Sequence, residues 1–428
     1  MIIWPRGPHA GPGEQRRGMT RSALEIPRNT CRLFGTIKAL STVQRSAILV
    51  HGPKGCVYHI NYILGMRGDR PAAIYTTSLD EHDVIFGAEG KLASAIEELD
   101  RRLSPDLIFV LSCCASSIIG EDVEGACRAA RARARVIGFA SGGFEGDHHT
   151  AYGEALTRLA EELALQPAGP PLPRTVNLIG MLRAGPDLRE LGRVLSLGGI
   201  TLAGVLTAGA SLHDLEGLGR ASLNIVVCEP AGRAPAEYLE RRFGTPFIVV
   251  EFPIGARAAA SFLEQVSSAL GIPFDPAVLA GEPGYAGPGA APEVHGEGPG
   301  GAGRPLRVAV IGGPTRAVSM TRFLAARGLA PVLLVVDFDA GVREKLAGAG
   351  PGNPEILVEP SQEEILSRLR ALEVGLIIGG MAERPLAALL GIPLLDMMHG
   401  SQRTACFAGE RELPGLLDAI RTARHPSP

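Results

Sequence analysis

The chain has 428 residues, too many for one typical hydrophobic core and enough for two or three domains. With 46% hydrophobic and 20% charged residues it has the balance of a globular protein, not a disordered one. A net charge of -3, from 42 basic and 45 acidic residues, excludes a global field that would draw nucleic acid or an anionic membrane.

Residues 1–21 are rich in Gly, Pro and Arg, lack the apolar stretch of a signal peptide, and read as a disordered extension. From 22 to 168, apolar strands over 47–50, 72–76, 107–111 and 136–140 alternate with amphipathic helices over 91–103, 121–133 and 151–165. Such alternation builds a parallel sheet covered on both faces, which makes this a first Rossmann-like domain. The basic run 128–135, where arginines alternate with alanine, reads as a solvated helix face.

The proline-rich segment 166–173 breaks the pattern. A second Rossmann-like domain follows over 174–275, with strands at 175–179, 200–206, 223–227 and 247–251 and helices at 187–197, 212–219, 235–243 and 256–270. The stretch 276–305 reads as a Gly/Pro-rich linker, because its composition cannot bury a core. A third Rossmann-like domain spans 306–428, with strands at 307–311, 331–336, 375–378 and 393–395 and helices at 316–327, 362–372, 384–390 and 413–423.

Ligands of doubly wound sheets gather at the carboxyl ends of the strands. The loop 51–56, Cys113 and Cys114, the segment 141–146, Cys228 with Glu229, and His399 all follow apolar strands in that position. His51-Gly52-Pro53-Lys54-Gly55-Cys56 is the organising stretch: a cysteine at the exit of a buried strand, in a loop opened by glycines, is well placed for a metal. Cys31 and Cys114 complete a plausible shared site, since three thiolates from three loops suit an iron-sulfur cluster. The plain alternative is that these are buried apolar thiols. Seven cysteines without a secretion signal point to a reducing compartment, so a cytoplasmic location is expected. No run approaches the roughly 20 apolar residues of a membrane helix.

Three segments carry a family resemblance: 31–56, opening on Cys31-Arg32-Leu33-Phe34-Gly35; 76–87, with Asp80-Glu81-His82-Asp83; and 112–122, opening on Ser112-Cys113-Cys114. In this order they resemble the nitrogenase component 1 superfamily, which includes nitrogenase subunits, a cofactor-assembly scaffold and reductases of tetrapyrroles. The resemblance implies an α/β fold of three Rossmann-like doubly wound parallel-sheet domains around a central cleft. It also implies that Cys31, Cys56 and Cys114 bind an iron-sulfur cluster, expected to be 4Fe-4S, near a subunit interface.

Cys113 is left as a core residue or alternate ligand, because successive residues of an extended segment point to opposite faces. Cys127, inside a helix, reads as a small buried hydrophobe. The segment 224–230 with 238–247 resembles the family stretch whose cysteine anchors a catalytic cofactor. On that basis Cys228 is a candidate ligand for a second metallocofactor or metal tetrapyrrole in the cleft, with an ordinary strand-end cysteine as the alternative. The nitrogenase histidine that completes such a site aligns near Thr404 and Ala405, which argues against dinitrogen reduction; His399 is a nearby donor for a different cofactor. Glu81 and His82 are candidate proton donors, while Asp80 or Asp83 can simply cap a helix.

No Gly-x-x-x-x-Gly-Lys-Ser/Thr loop is present, so ATP hydrolysis would fall to a partner. The resemblance implies an ATP-dependent homodimeric iron protein as electron donor, and a homodimer or a heterotetramer with a related subunit. The expected function is the catalytic subunit of a nitrogenase-like reductase acting on a cleft-bound substrate, with a tetrapyrrole as first guess. The alternative is a non-catalytic scaffold for maturing an iron-molybdenum cofactor precursor.

Overall fold

A computed structural model describes residues 2–3, 30–66, 73–144, 146–287, 305–347, 353–397 and 403–424. Its strands form three sheets. A short strand β1 (Ile2–Ile3) leads the chain, and the segment read as a disordered extension thus contributes two residues to regular structure. The first sheet then uses β2 (Ser46–His51), β3 (Ile74–Thr76), β4 (Leu107–Ser112) and β5 (Arg135–Phe139), all parallel, in the order β3-β2-β4-β5. Its helices are α1 (Arg32–Leu40), α2 (Lys54–Met66), α3 (Glu81–Phe86), α4 (Glu89–Leu103), α5 (Cys114–Ile118), α6 (Val123–Ala129) and α7 (His148–Leu163).

Every residue of β4 is buried, which explains why a continuous run of Leu, Ile, Phe and Val encodes it and not an alternating pattern. The register pairs His51 with Ser112 at the carboxyl ends of β2 and β4, so the loops leaving those strands start side by side. Helix α6 is shorter than the 121–133 expected. The chain leaves the helix at Ala130 because the backbone N–H groups of Arg131, Arg133 and Ala134 bond the carboxylates of Glu97 and Asp100 on α4.

The second sheet contains β6 (Leu172–Met181), β7 (Thr201–Thr207), β8 (Ala221–Val226) and β9 (Phe247–Val249), parallel in the order β7-β6-β8-β9. Around it lie α8 (Pro186–Leu197), α9 (Leu212–Glu216), α10 (Glu229–Phe243) and α11 (Ala256–Ala269). The third sheet contains β10 (Arg307–Gly312), β11 (Ala330–Val336), β12 (Glu355–Val358), β13 (Leu376–Gly379) and β14 (Leu394–Asp396). These five are parallel, and β1 adds antiparallel to β14 at the edge. Its helices are α12 (Pro314–Ala325), α13 (Val342–Leu346), α14 (Gln362–Ala371), α15 (Arg384–Leu390) and α16 (Cys406–Arg424).

Two helices start six and seven residues earlier than the sequence pattern predicts, and both contain an internal proline: Pro235 in α10 (Glu229–Phe243) and Pro414 in α16 (Cys406–Arg424). One lost hydrogen bond, costing about 3 kcal/mol, is outweighed where a long face is packed. For α10 that face lies on α7, where a Cβ at Gly153 would come within 3.2 Å of the Pro230 carbonyl oxygen. Phe34, Leu156 and Leu159 share one core with Val226, Ala231 and Leu239, joining the first and second sheets. Phe252, Ile254 and Phe262 share another with Val308, Phe323 and Phe407, joining the second and third. Helix α16 packs on α8 and α11. Among the described residues no helix is long and apolar enough to cross a membrane.

Candidate metal centre

Four cysteines sit at the first turns of three helices around the carboxyl edge of the first sheet. Cys31 is the N-cap of α1 and forms an isolated antiparallel bridge with Asp147. That pairing explains the glycine of Cys-Arg-Leu-Phe-Gly: a Cβ at Gly35 would lie 2.2 Å from the His148 carbonyl oxygen. Cys56 lies in the first turn of α2, its N–H donating to the Pro53 carbonyl at 3.3 Å. Cys113 caps α5 and Cys114 is that helix's first residue. Such positions bring backbone N–H groups of the first helical turn close to the side chain.

The thiols also face one another. Gly143 donates its N–H to Cys114 Sγ at 3.2 Å, and a Cβ there would lie 3.0 Å from that sulfur and 3.2 Å from Cys31 Cβ. Cys56 and Cys113 share a hydrogen bond, and Cys31 and Cys114 act electrostatically on Cys56. The pair therefore ionises once readily. The bond from Cys56 holds the Cys113 thiol well below its usual range, while the same bond, followed by burial, pushes Cys56 up. Cys127 behaves as an ordinary half-buried thiol, pushed up to about 12 by burial.

Among the described residues no three His, Cys, Asp or Glu side chains converge as they would on a single metal ion. The thiols are instead spread over glycine backbone, with Gly52 against Cys113 Sγ and Gly143 against Cys114 Sγ. All four donors are soft sulfur, and this arrangement fits a polynuclear iron-sulfur group better than a lone ion.

Beside the cysteines lies a buried polar chain that the sequence motifs do not reveal. Gly52 N–H donates to Thr77 Oγ1 at 3.2 Å, and Thr77 Oγ1 is 3.0 Å from His51 Nδ1. His51 Nε2 faces Glu121 Oε2 at 3.3 Å, while Glu121 Oε1 accepts the Ala88 N–H at 2.6 Å. His51 is fully buried. The chain ties the Cys56 loop to the N-cap of α4, and the only signal for it was that parallel register aligns the ends of β2 and β4.

Glu81 and His82 are exposed on α3, a helix that buries none of its residues. Asp80 is its N-cap, Asp83 closes the capping box, and Lys91 pairs with Asp83 at 2.5 Å. The His82 ring lies 4.5 Å from Phe86 and tilts against it. Neither Glu81 nor His82 takes part in the buried chain beneath the cysteines.

Cys228 is elsewhere, as the N-cap of α10 at the junction of the second and third sheets, half-buried, with Thr315 Oγ1 donating to its sulfur at 3.4 Å. Close to that junction the charges are already matched. Arg316 bonds Asp187 at 2.6 Å and Thr404 Oγ1 at 2.7 Å, and Asp187 accepts the N–H groups of Thr404 and Ala405 at 2.8 and 3.0 Å. Burial pushes Asp187 up, but Arg316 and those N–H groups more than reverse this and hold it below the usual carboxylate range. Arg316 and Thr404 border a small cavity of about 20 Å³ otherwise lined by apolar side chains such as Ile254, Val310, Met320 and Ile378. His399 lies outside the described residues.

The family model for nitrogenase component 1 type oxidoreductases matches residues 31–415. The chain belongs to that family. Among its relatives in the nitrogenase component 1 family, the nitrogenase iron-molybdenum cofactor biosynthesis protein NifE of Clostridium pasteurianum is 26% identical over 408 residues, covering 90% of this chain and 84% of its own. A nitrogenase molybdenum-iron protein beta chain of Methanococcus maripaludis is 27% identical over 417 residues, 87% of each chain. A light-independent protochlorophyllide reductase chain of Methylobacterium sp. (strain 4-46) is 29% identical over 413 residues, 92% of this chain and 78% of its own. A solved structure of nitrogenase Cp1 at pH 6.5 superposes with a TM-score of 0.78 at 18% identity, covering 96% of this chain and 95% of that one, so the fold is shared.

Proposed function

We propose that the chain is the catalytic subunit of a nitrogenase-like reductase that takes electrons from an ATP-dependent homodimeric iron protein for a substrate bound between the sheets. The observation that carries this reading is the gathering of Cys31, Cys56 and Cys114 at helix N-termini along one sheet edge. These residues would hold an iron-sulfur cluster, most simply 4Fe-4S, which when bound supplies one-electron transfer. The chain's own part is to present an N–H donor to the sulfurs, as Gly143 does to Cys114 Sγ, and to fix the Cys56 loop through Thr77, His51 and Glu121. Glu81 and His82 would supply protons from the exposed face of α3.

The same elements carry exposed apolar side chains: Tyr58 and Tyr62 on α2, Ile85 and Phe86 on α3, Ile118 on α5, and Phe144 beside Gly143. Large exposed apolar side chains around the cysteines support a covering chain, either a second copy or a related subunit. Our proposed substrate class is a tetrapyrrole. It far exceeds the cavity of about 20 Å³ beside Arg316 and Thr404, so binding there would require the Arg316, Asp187 and Thr404 joint to open.

A second reading, a scaffold for an iron-molybdenum cofactor precursor, is favoured by Cys228 alone. The test is anaerobic purification with iron and sulfide analysis, followed by assays with iron protein, ATP and reductant. ATP-dependent change in the absorption of an added nickel tetrapyrrole supports the reductase; transfer of iron to an acceptor protein without turnover supports the scaffold. A wild type that binds no iron overturns both.

A further inference from the structure

Resting on the reading of the cysteine centre above, we propose that Cys113 supplies a fourth thiolate to the same group, so that one chain carries a complete cysteine ligand set. The alternation argument that separates Cys113 from Cys114 holds on an extended strand. Here β4 ends at Ser112, Cys113 is the extended N-cap and Cys114 the first helical residue, and the Cys56 thiol is met by both: Cys113 shares its hydrogen bond and Cys114 acts on it electrostatically.

Cys113 is as buried as a core residue, but its sulfur is surrounded differently. It faces the backbone N–H groups of Ala115 and Ser116, Ser116 Oγ at 3.8 Å, and the Cys56 thiol. Ser116 Oγ also accepts the Cys113 N–H at 2.9 Å, which closes the turn on the sulfur. On the other side a Cβ at Gly52 would lie 2.4 Å from Cys113 Sγ, so only glycine leaves room there. Donors converging on a sulfur are what a metal-bound thiolate uses, and a purely apolar site has none to give. Cys113 borders the core of Phe34, Leu111 and Phe139 as Cys406 borders that of Phe407, Leu413 and Leu417, but the Cys113 sulfur also meets the Ser116 hydroxyl.

The experiment reconstitutes the full chain anaerobically with ferrous iron and sulfide, as wild type, Cys113→Ser, Cys113→Ala and Cys56→Ala. Iron and sulfide per chain and the electron paramagnetic resonance of the reduced protein are read, with circular dichroism as a check on folding. Cys113→Ser, nearly isosteric, is expected to keep the fold and bind iron with a shifted spectrum. Cys113→Ala is expected to lose at least half of the iron, and added 2-mercaptoethanol to restore the wild-type line shape. Added thiol should leave the wild-type spectrum unchanged.

Wild-type iron content and line shape in Cys113→Ser overturn the proposal, whether or not Cys113→Ala folds. A wild-type spectrum that itself shifts on adding thiol overturns it too, because the fourth position is then open. In both cases iron lost in Cys56→Ala keeps the three-cysteine centre standing. A wild type that takes up no iron overturns the centre and this proposal together.

Discussion

Two regions of this molecule carry a cysteine at the carboxyl end of a parallel strand, and they have been built in opposite ways. Around Cys31, Cys56, Cys113 and Cys114, sulfurs face N–H donors and glycine backbones, and the surrounding helices leave large apolar side chains in solvent. Around Cys228 there is one thiol, and the neighbouring Asp187, Arg316 and Thr404 already satisfy one another. The first region has unspent ligand capacity and an uncovered rim, the properties of a site. The second has matched its polar groups internally, the property of a joint.

The largest effect is expected in the first region. Cys56→Ala should remove all, or nearly all, of the iron bound after anaerobic purification, with the fold kept by circular dichroism. Unchanged iron would erase the distinction between the regions. In the second region the expected loss is of stability. Asp187→Ala leaves the Arg316 guanidinium and two backbone N–H groups without their acceptor, which should cost about 3 kcal/mol in denaturant unfolding.

The same residue sets a pH signature. Because Asp187 is held below its ordinary value, its contribution is fully present above the unfolded carboxylate pKa of about 3.9 and is lost as pH falls through the lower folded value. The unfolding midpoint of the wild type should therefore drop more steeply below about pH 4 than that of Asp187→Asn. Parallel curves would mean that Asp187 is not the group that titrates.

The fold was legible to the extent that burial is. Strands such as β4, apolar along their whole length, can only be central strands of a covered sheet, and three successive sets of them appear in the chain. Boundaries failed where a local rule met packing: prolines at 235 and 414 looked like helix starts, and the arginines after Ala130 looked like helix although their backbone donors bond carboxylates on α4 instead. Of the site, Cys31, Cys56 and Cys114 could be named because their motifs are local. The hydrogen bond between Cys56 and Cys113, and the chain from Gly52 to Glu121, depend on two loops leaving β2 and β4 side by side, which no local pattern states.

A smaller effect tests the uncovered rim. Ile85→Asp on α3 replaces an exposed side chain and should change stability by no more than about 0.5 kcal/mol. If the rim is a subunit interface, the variant should shift toward monomer in light scattering after size exclusion, at a concentration where the wild type is associated. An unchanged mass would leave those apolar side chains as ordinary surface.

No effect on iron is expected at Cys228, and there the comparison can fail most informatively. Its sulfur accepts one hydroxyl hydrogen bond, from Thr315, and a neutral bond of that kind contributes about 1 kcal/mol or less. As part of a joint, Cys228→Ala should therefore cost about that much and leave iron per chain at the wild-type value. If iron falls instead, Cys228 is a ligand and the matched charges beside it do not close the second region. The cleft would then hold a metal group of its own, and the scaffold reading would take precedence over the reductase. A double variant with Cys56→Ala separates the cases further: independent centres lose iron additively, whereas a single shared pool leaves nothing for the second substitution to remove.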